Sequence, residues 1–143
     1  MRILVINGPN LNLLGTREIG IYGKQTIQEL EKYIKDWIKC KNVELRFYQF
    51  NSEGEIIDCI QSNANWADGI IINPAGYSNT SIAIYDCIKG IDIPTIEVHL
   101  SNVFSREEFR KKLVIAGACI GVISGFGFNS YILALEHLIT KLR

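Results

Sequence analysis

Two pairs of side chains in this sequence could move protons, and the first is Arg17 with Tyr22. They lie in a glycine-bounded stretch between Gly8 and Gly23. A tyrosine that acts as a base must lose its proton, although the pKa of an ordinary tyrosine is about 10. A neighbouring guanidinium favours the ionised form. Tyr22 beside Arg17 is therefore a candidate base, and the alternative is a tyrosine that only packs its ring on the surface.

The second pair is Glu97 with His99. Residues two apart in a strand point to the same face, so the carboxylate can orient the imidazole and hold it protonated. His99 also follows directly on an apolar run that is typical of a buried strand. The pair is a candidate acid, whereas His137, beside Glu136 on the last predicted helix, is expected to be structural.

Arg106 and Arg110 are candidates for holding an anionic or hydroxylated ligand. Their spacing of four residues predicts that they share one face of a helix. Arginine can clamp a substrate carboxylate or hydroxyl. The alternative is a solvated helix face on which the two arginines pair with Glu107 and Glu108.

Two glycine-containing turns are candidates for anion or nucleotide sites. Asn73-Pro74-Ala75-Gly76 either presents backbone amides to an anion or is a plain turn between a strand and a helix. Gly125–Ser130 lacks the third glycine of a dinucleotide fingerprint and follows the last predicted strand. We therefore interpret it as a turn that leads into a helix.

The stretch around Arg17 and Tyr22 is predicted to be an active-site lid, covering about residues 10–24. No helical or strand period persists through it, and a loop of this length in a compact domain is usually functional or disordered. Disorder is disfavoured because the loop contains apolar residues that could anchor it. These are Leu11, Leu13, Leu14, Ile19 and Ile21.

Alternating apolar runs and helical patterns predict an α/β domain. The predicted strands are Ile3–Ile6, Val43–Tyr48, Gly69–Ile72, Thr95–Val98 and Cys119–Ile123. Helices are predicted over Thr26–Lys39, after Ser52, over Ser78–Lys89, after Ser105 and over Asn129–Leu142. Ser or Thr three residues before Glu begins three of these helices, which is the capping-box signature. The order βαβαβαβαβα with apolar strands predicts a parallel sheet in a three-layer sandwich.

This architecture predicts where a ligand binds. In open parallel sheets ligands lie beyond the carboxyl ends of the strands, near the switch in strand order. Polar residues follow three of the five predicted strands. Asn10, Arg17 and Tyr22 follow the first, Asn73–Ser81 follows the third, and His99–Asn102 follows the fourth. We expect these three groups to meet.

Length and composition predict one domain over residues 1–143. Fifteen basic and fifteen acidic residues cancel, so non-specific attraction to nucleic acid or an anionic membrane is not expected. No apolar run is long enough to span a bilayer, and no signal-peptide pattern is present, so we expect a cytoplasmic protein. Cys40, Cys59, Cys87 and Cys119 are predicted to be reduced thiols, three of them buried, with a metal site or disulfide as the alternative.

Taken together, these segments resemble the type II 3-dehydroquinate dehydratases of the shikimate pathway. The matching segments run through nearly the whole chain. They are Gly8–Arg17, Tyr22–Gly23, Asn51–Gly54, Asn73–Pro74, Thr80–Ser81, Ile96–Asn102 and Arg106–Arg110. The resemblance implies a flavodoxin-like αβα sandwich with a five-stranded parallel sheet. It also implies a lyase that converts 3-dehydroquinate to 3-dehydroshikimate without a metal or organic cofactor.

The resemblance assigns roles to particular residues. Tyr22 removes a C2 proton with Arg17 keeping it ionised, a water near Asn10 stabilises the enolate, and His99, set by Glu97, protonates the leaving C1 hydroxyl. The residues implied to bind substrate are Asn73, Asn79, Leu100, Ser101 and Arg110. Asp86 matches an acid that reaches a neighbouring subunit's site in a trimer, and trimers usually assemble into dodecamers.

The sequence departs from the family pattern near the substrate-binding residues. Asn79 stands where the family usually has histidine, and Tyr85 stands where it commonly has arginine. An amide can still donate a hydrogen bond but cannot carry charge. Restoring the imidazole with Asn79→His is thus expected to lower KM several-fold. The alternative to an active dehydratase is a non-catalytic flavodoxin-like relative that acts as a binding or regulatory module.

Overall fold

The computed structural model describes residues 1–142, which fold into five strands and five α-helices. The strands are β1 (Arg2–Asn7), β2 (Glu44–Gln49), β3 (Gly69–Asn73), β4 (Thr95–His99) and β5 (Gly121–Ser124). The α-helices are α1 (Ile19–Tyr22), α2 (Ile27–Ile38), α3 (Glu53–Ser62), α4 (Ile82–Ile91) and α5 (Asn129–Lys141). All five predicted strands exist, with bounds that differ by one or two residues.

The strands form one parallel sheet in the order β2-β1-β3-β4-β5. This is the flavodoxin-like order, in which the direction of strand addition reverses between β1 and β3. Asn7 at the end of β1 pairs in register with Asn73 at the end of β3. The fold class predicted from the sequence is confirmed.

Helices cover both faces of the sheet. Ile3, Val5 and Ile71 pack on the side of α2 and α5, whereas Leu4 and Ile70 pack on the side of α3 and α4. The alternation follows from the period of two in a strand. Both faces are therefore buried, which explains the apolar runs Ile3–Ile6 in β1 and Ile70–Ile72 in β3. In the buried strand β4, Ile96 and Val98 are apolar, whereas Thr95, Glu97 and His99 are polar.

Local capping fixes the starts of the helices. Thr26 and Glu29 form the predicted capping box at α2, with each side chain bonded to the other residue's backbone N–H. Ser52 caps α3 as predicted. The helix predicted from Ser78 begins only at Ile82, because Ser81 is its cap and Ala75–Asn79 forms a separate 3-10 helix.

The prediction of an α-helix after Ser105 is wrong. Three short 3-10 helices occupy this part of the chain instead, at Val103–Ser105, Glu108–Arg110 and Ile115–Ala118. The Ser105 hydroxyl donates back to the carbonyl of Asn102, and the Asn102 side chain accepts from the Phe104 amide. Ser105 therefore does not cap a helix, and Arg106 and Arg110 do not share a helix face.

No helix of residues 1–142 is long and apolar enough to cross a membrane. Cys59 is buried, Cys87 and Cys119 are half-buried, and Cys40 is exposed. Burial raises the pKa of the Cys59 thiol to about 11 and that of Cys119 to about 12. The expectation that three cysteines are buried thus holds fully for Cys59 only.

Candidate active site

A cavity of about 190 Å³ lies at the carboxyl ends of β1, β3 and β4. It is the place that the strand-exit rule predicts. The residues that line it come from all three predicted groups and from the segment after β4. They are Pro9, Asn10, Leu11, Leu14, Arg17, Tyr22, Asn73, Ala75, Gly76, Asn79, His99, Leu100, Ser101, Val103, Arg106, Arg110 and Leu113.

His99 lies at the end of β4, where the strand ladder fixes its backbone. Its Nε2 is 2.6 Å from Oε1 of Glu97, and Glu97 is fully buried beneath it. The Ser78 hydroxyl donates to the same carboxylate oxygen. Because Glu97 occupies Nε2, Nδ1 is the ring nitrogen left to meet a ligand. The predicted alignment of Glu97 and His99 on one strand face is confirmed.

Tyr22 lies at the end of α1, and Arg106 makes the direct contact with its hydroxyl. The distance from Nη1 of Arg106 to the Tyr22 oxygen is 2.6 Å. The guanidinium of Arg17 lies near the ring, with Cζ 5.3 Å from the ring centroid, and also pairs with Glu18. Two positive charges thus flank the phenol, one through a hydrogen bond to its oxygen and one beside its ring.

The Arg106 side chain has further donors to offer. Among residues 1–142 its Nε and Nη2 are buried and have no hydrogen-bond partner. Unpaired buried donors are costly, so a ligand oxygen that accepts from them would gain binding energy. In the sequence Arg106 is only one of two spaced arginines, and no local pattern predicts its contact with Tyr22.

A buried polar network lies behind Asn73, which lines the cavity. Tyr131, fully buried on α5, donates to Oδ1 of Asn7 at 2.6 Å and accepts from Nδ2 of Asn73 at 2.9 Å. The side-chain oxygen Oδ1 of Asn73 accepts from the backbone N–H of Ala75 at 3.2 Å. Both Nδ2 and Oδ1 of Asn73 are thereby held in hydrogen bonds. The backbone N–H of Ala75 is already bonded and is therefore not free to bind an anion.

The turns after β1 and β3 touch each other at Gly8. A Cβ at this position would lie 2.5 Å from the carbonyl oxygen of Pro74, so only glycine fits. The Gly8 amide donates to the Asn73 carbonyl at 2.7 Å. This close approach brings Asn10, whose backbone is left-handed with φ 68°, to the cavity wall beside Asn73.

The charge of the lining is positive. Arg17, Arg106 and Arg110 line the cavity, whereas no Asp or Glu of residues 1–142 does. The nearby carboxylates of Glu18 and Glu107 pair with these arginines outside the lining. A small anionic molecule fits this charge. Within the same range, no group of three or more His, Cys, Asp or Glu side chains could hold a metal ion.

The structure brings most of the predicted site residues together. Nine of them line the cavity, namely Asn10, Arg17, Tyr22, Asn73, Asn79, His99, Leu100, Ser101 and Arg110. Glu97 lies directly behind His99. Asp86 is exposed on α4 and does not line the cavity of this chain.

The predicted lid is partly ordered. It contains a 3-10 turn at Leu11–Leu13 and the single helical turn α1. Leu11 and Leu14 are buried and anchor it, whereas Leu13, Ile19 and Ile21 are exposed. The anchoring is therefore confined to the first part of the loop, and the part that carries Tyr22 depends on side-chain contacts.

Comparison with known proteins decides the family. A family profile described as Dehydroquinase class II matches residues 1–139. The chain belongs to this family. A curated 3-dehydroquinate dehydratase from Clostridium perfringens is 55% identical over 145 residues, covering 100% of both chains. Another, from Clostridium acetobutylicum, is 54% identical over 144 residues, covering 99% of this chain and all of the relative.

A solved structure extends the likeness to three dimensions. The crystal structure of a type II dehydroquinase from Butyrivibrio crossotus superimposes with a TM-score of 0.95 at 49% sequence identity. The match covers 97% of each chain. The dehydroquinase likeness inferred from the sequence is confirmed.

Proposed function

We propose that this protein removes water from 3-dehydroquinate to give 3-dehydroshikimate in the shikimate pathway, with Tyr22 as the base and His99 as the acid. The observation that carries the assignment is a single cavity lined by both of these side chains and by three arginines. Family membership supports the reaction. The contact of Arg106 with Tyr22 and that of Glu97 with His99 support the residue roles.

The base step uses the Tyr22 phenolate. Its oxygen takes the proton from C2 of the substrate, next to the ketone, and the electron pair of the broken C–H bond forms an enolate. Arg106 donates a hydrogen bond to this oxygen, and Arg17 lies beside the ring. Asn10, on the cavity wall, holds a water that donates to the enolate oxygen.

The acid step uses His99. The enolate re-forms the ketone and expels the C1 hydroxyl, which leaves as water with a proton from the imidazolium. Glu97 orients the ring through its contact with Nε2. The cycle closes when Tyr22 releases its proton to solvent and His99 takes up a proton from solvent.

Substrate binding uses the remaining polar groups of the cavity. Arg110 and the unpaired donors of Arg106 suit the substrate carboxylate. Asn73, Ser101 and the backbone at Leu100 suit its hydroxyls, and Asn79 has an acceptor oxygen to offer. Neither a metal nor an organic cofactor takes part in these steps.

Assembly and location belong to the proposal as well. Asp86 lies outside the cavity of its own chain, which fits a role at the site of a neighbouring subunit in a trimer. We expect such trimers to assemble into a dodecamer and the protein to be cytoplasmic. Light scattering of the purified protein tests the assembly.

The decisive experiment mixes the purified protein with 3-dehydroquinate and follows the ultraviolet absorbance of the conjugated enone. Catalytic growth of the absorbance is the expected result. Saturable binding of 3-dehydroquinate without turnover would favour a binding or regulatory module instead. His137→Ala serves as the matched control for histidine variants because His137 is exposed on α5.

A further inference from the structure

Asn79, which replaces the family's usual histidine, uses its amide group to hold a neighbouring segment. Its Nδ2 donates to the backbone carbonyl of Arg110 at 3.1 Å and to that of Lys112 at 3.0 Å. Because both partners are carbonyls, the nitrogen must be the atom that faces them. Both hydrogens of the amide are therefore committed to the backbone of one short stretch.

That stretch has few other links to the sheet. Between Arg106 and Val114 the only regular element is the 3-10 helix Glu108–Arg110. The Val114 amide donates to the carbonyl of Ser78 at 2.7 Å. Two consecutive residues, Ser78 and Asn79, thus provide three hydrogen bonds that attach the segment to the cavity wall.

Arg110 is held from two directions as a result. Its carbonyl is fixed by Asn79, and its Nε donates to Oε2 of Glu107 at 2.7 Å. Glu107 lies on the same segment and is half exposed, and its other ion pair, with Nε of Arg106, is long at 3.8 Å. The hydrogen bond that ties the backbone of Arg110 to the cavity wall comes from Asn79.

We propose that Asn79 is a positioning residue that sets Arg110 for substrate binding. The inference rests on the proposed function, because it takes Arg110 to bind the substrate carboxylate. With both hydrogens occupied, Asn79 has only Oδ1 left for a ligand. That atom accepts a hydrogen bond from a hydroxyl and repels a carboxylate.

The inference reverses the expectation for Asn79→His. An imidazole ring cannot donate from a single atom to two carbonyls, so at least one bond to the segment is lost. We now expect this variant to raise KM rather than lower it. The sequence alone could not reveal this, because the two acceptors lie more than thirty positions further along the chain.

The kinetic test is a double-mutant cycle between Asn79→Ala and Arg110→Met. Asn79→Ala is expected to raise KM about tenfold, as for the loss of two neutral hydrogen bonds, with kcat changed about twofold or less. In the Arg110→Met background the same change should raise KM less than about twofold, because there is no guanidinium left to position. Unchanged KM in Asn79→Ala, or fully additive effects, would overturn the proposal.

Asn63→Ala is the matched control. The Asn63 amide donates to a backbone carbonyl, that of Cys59, at 2.8 Å, and Asn63 does not line the cavity. This variant should leave KM unchanged. A KM rise equal to that of Asn79→Ala would show that general loss of stability, and not Arg110, is responsible.

Hydrogen exchange separates this proposal from the proposed function. The Val114 amide should exchange at least about tenfold faster in Asn79→Ala than in the wild type, since its local opening becomes easier. Equal exchange rates would overturn the attachment even in an active enzyme. Absence of turnover in the wild type would instead refute the dehydratase assignment. The hydrogen-exchange rates would then still test whether Asn79 attaches the segment.

Discussion

The proposed acid and the proposed base are positioned in opposite ways. His99 ends a buried parallel strand, and its partner Glu97 is fully buried two residues earlier on that strand. Tyr22 ends a single helical turn inside a loop whose neighbouring residues, from Glu18 to Ile21, are exposed. The acid is thus part of the sheet, whereas the base reaches the same cavity from the surface.

The difference shows two ways of placing a reactive group. The strand ladder fixes His99 through many backbone hydrogen bonds, so the loss of one side-chain contact should not displace it. Tyr22 depends on Arg106 and Arg17, whose side chains must meet it across the cavity. A loop of this kind can open to admit substrate and exclude water when it closes.

Removing the base hydroxyl should have the largest effect. Tyr22→Phe retains the ring that packs on Arg17 and Arg106 but has no oxygen to take the proton. We expect turnover to be almost abolished while substrate binding, measured by calorimetry, stays mostly intact. If the variant kept a tenth or more of the wild-type kcat, Tyr22 could not be the base.

The acid side should show a graded loss. His99→Ala removes the proton donor and should reduce kcat strongly, whereas Glu97→Gln keeps a group that orients the ring and should reduce it less. Steady-state kinetics at one pH measures both, with His137→Ala as the control. A greater loss in Glu97→Gln than in His99→Ala would reverse the assignment.

The two arginines after β4 should separate kcat from KM. Arg106→Met removes the charged hydrogen bond to the Tyr22 hydroxyl, so kcat should fall about 10- to 100-fold, as for other charged hydrogen bonds. Arg110→Met should act mainly on KM. The contact of Arg106 with the base would be catalytically unimportant if Arg106→Met changed KM alone.

The smallest effect on chemistry, and a clear effect on stability, is expected for Tyr131→Phe. The change leaves Oδ1 of Asn7 without its donor and Nδ2 of Asn73 without its acceptor, both in buried positions. We expect the free energy of unfolding to fall by about 1–3 kcal/mol, measured by urea denaturation. Tyr33→Phe, at an exposed tyrosine on α2, should change it by less than about 0.5 kcal/mol.

The sequence by itself determined the strands, most of the helix starts and the acid pair. Apolar runs identified β1 and β3 because strands covered on both sides are rich in apolar residues. The pairing of Thr26 with Glu29 predicted the start of α2, because a cap is made within four residues. Glu97 and His99 were placed together because a strand repeats every two residues.

Only the tertiary structure decided the contacts between distant segments. Tyr22 meets Arg106 across 84 positions, and Asn73 meets Tyr131 across 58. The capping pattern at Ser105 predicted a helix that does not form. The Ser105 hydroxyl donates to the backbone carbonyl of Asn102 instead of capping a helix. The segment that follows is held by hydrogen bonds to Ser78 and Asn79. Local sequence cannot specify which distant donor lies nearest, because that depends on how the sheet and its loops pack.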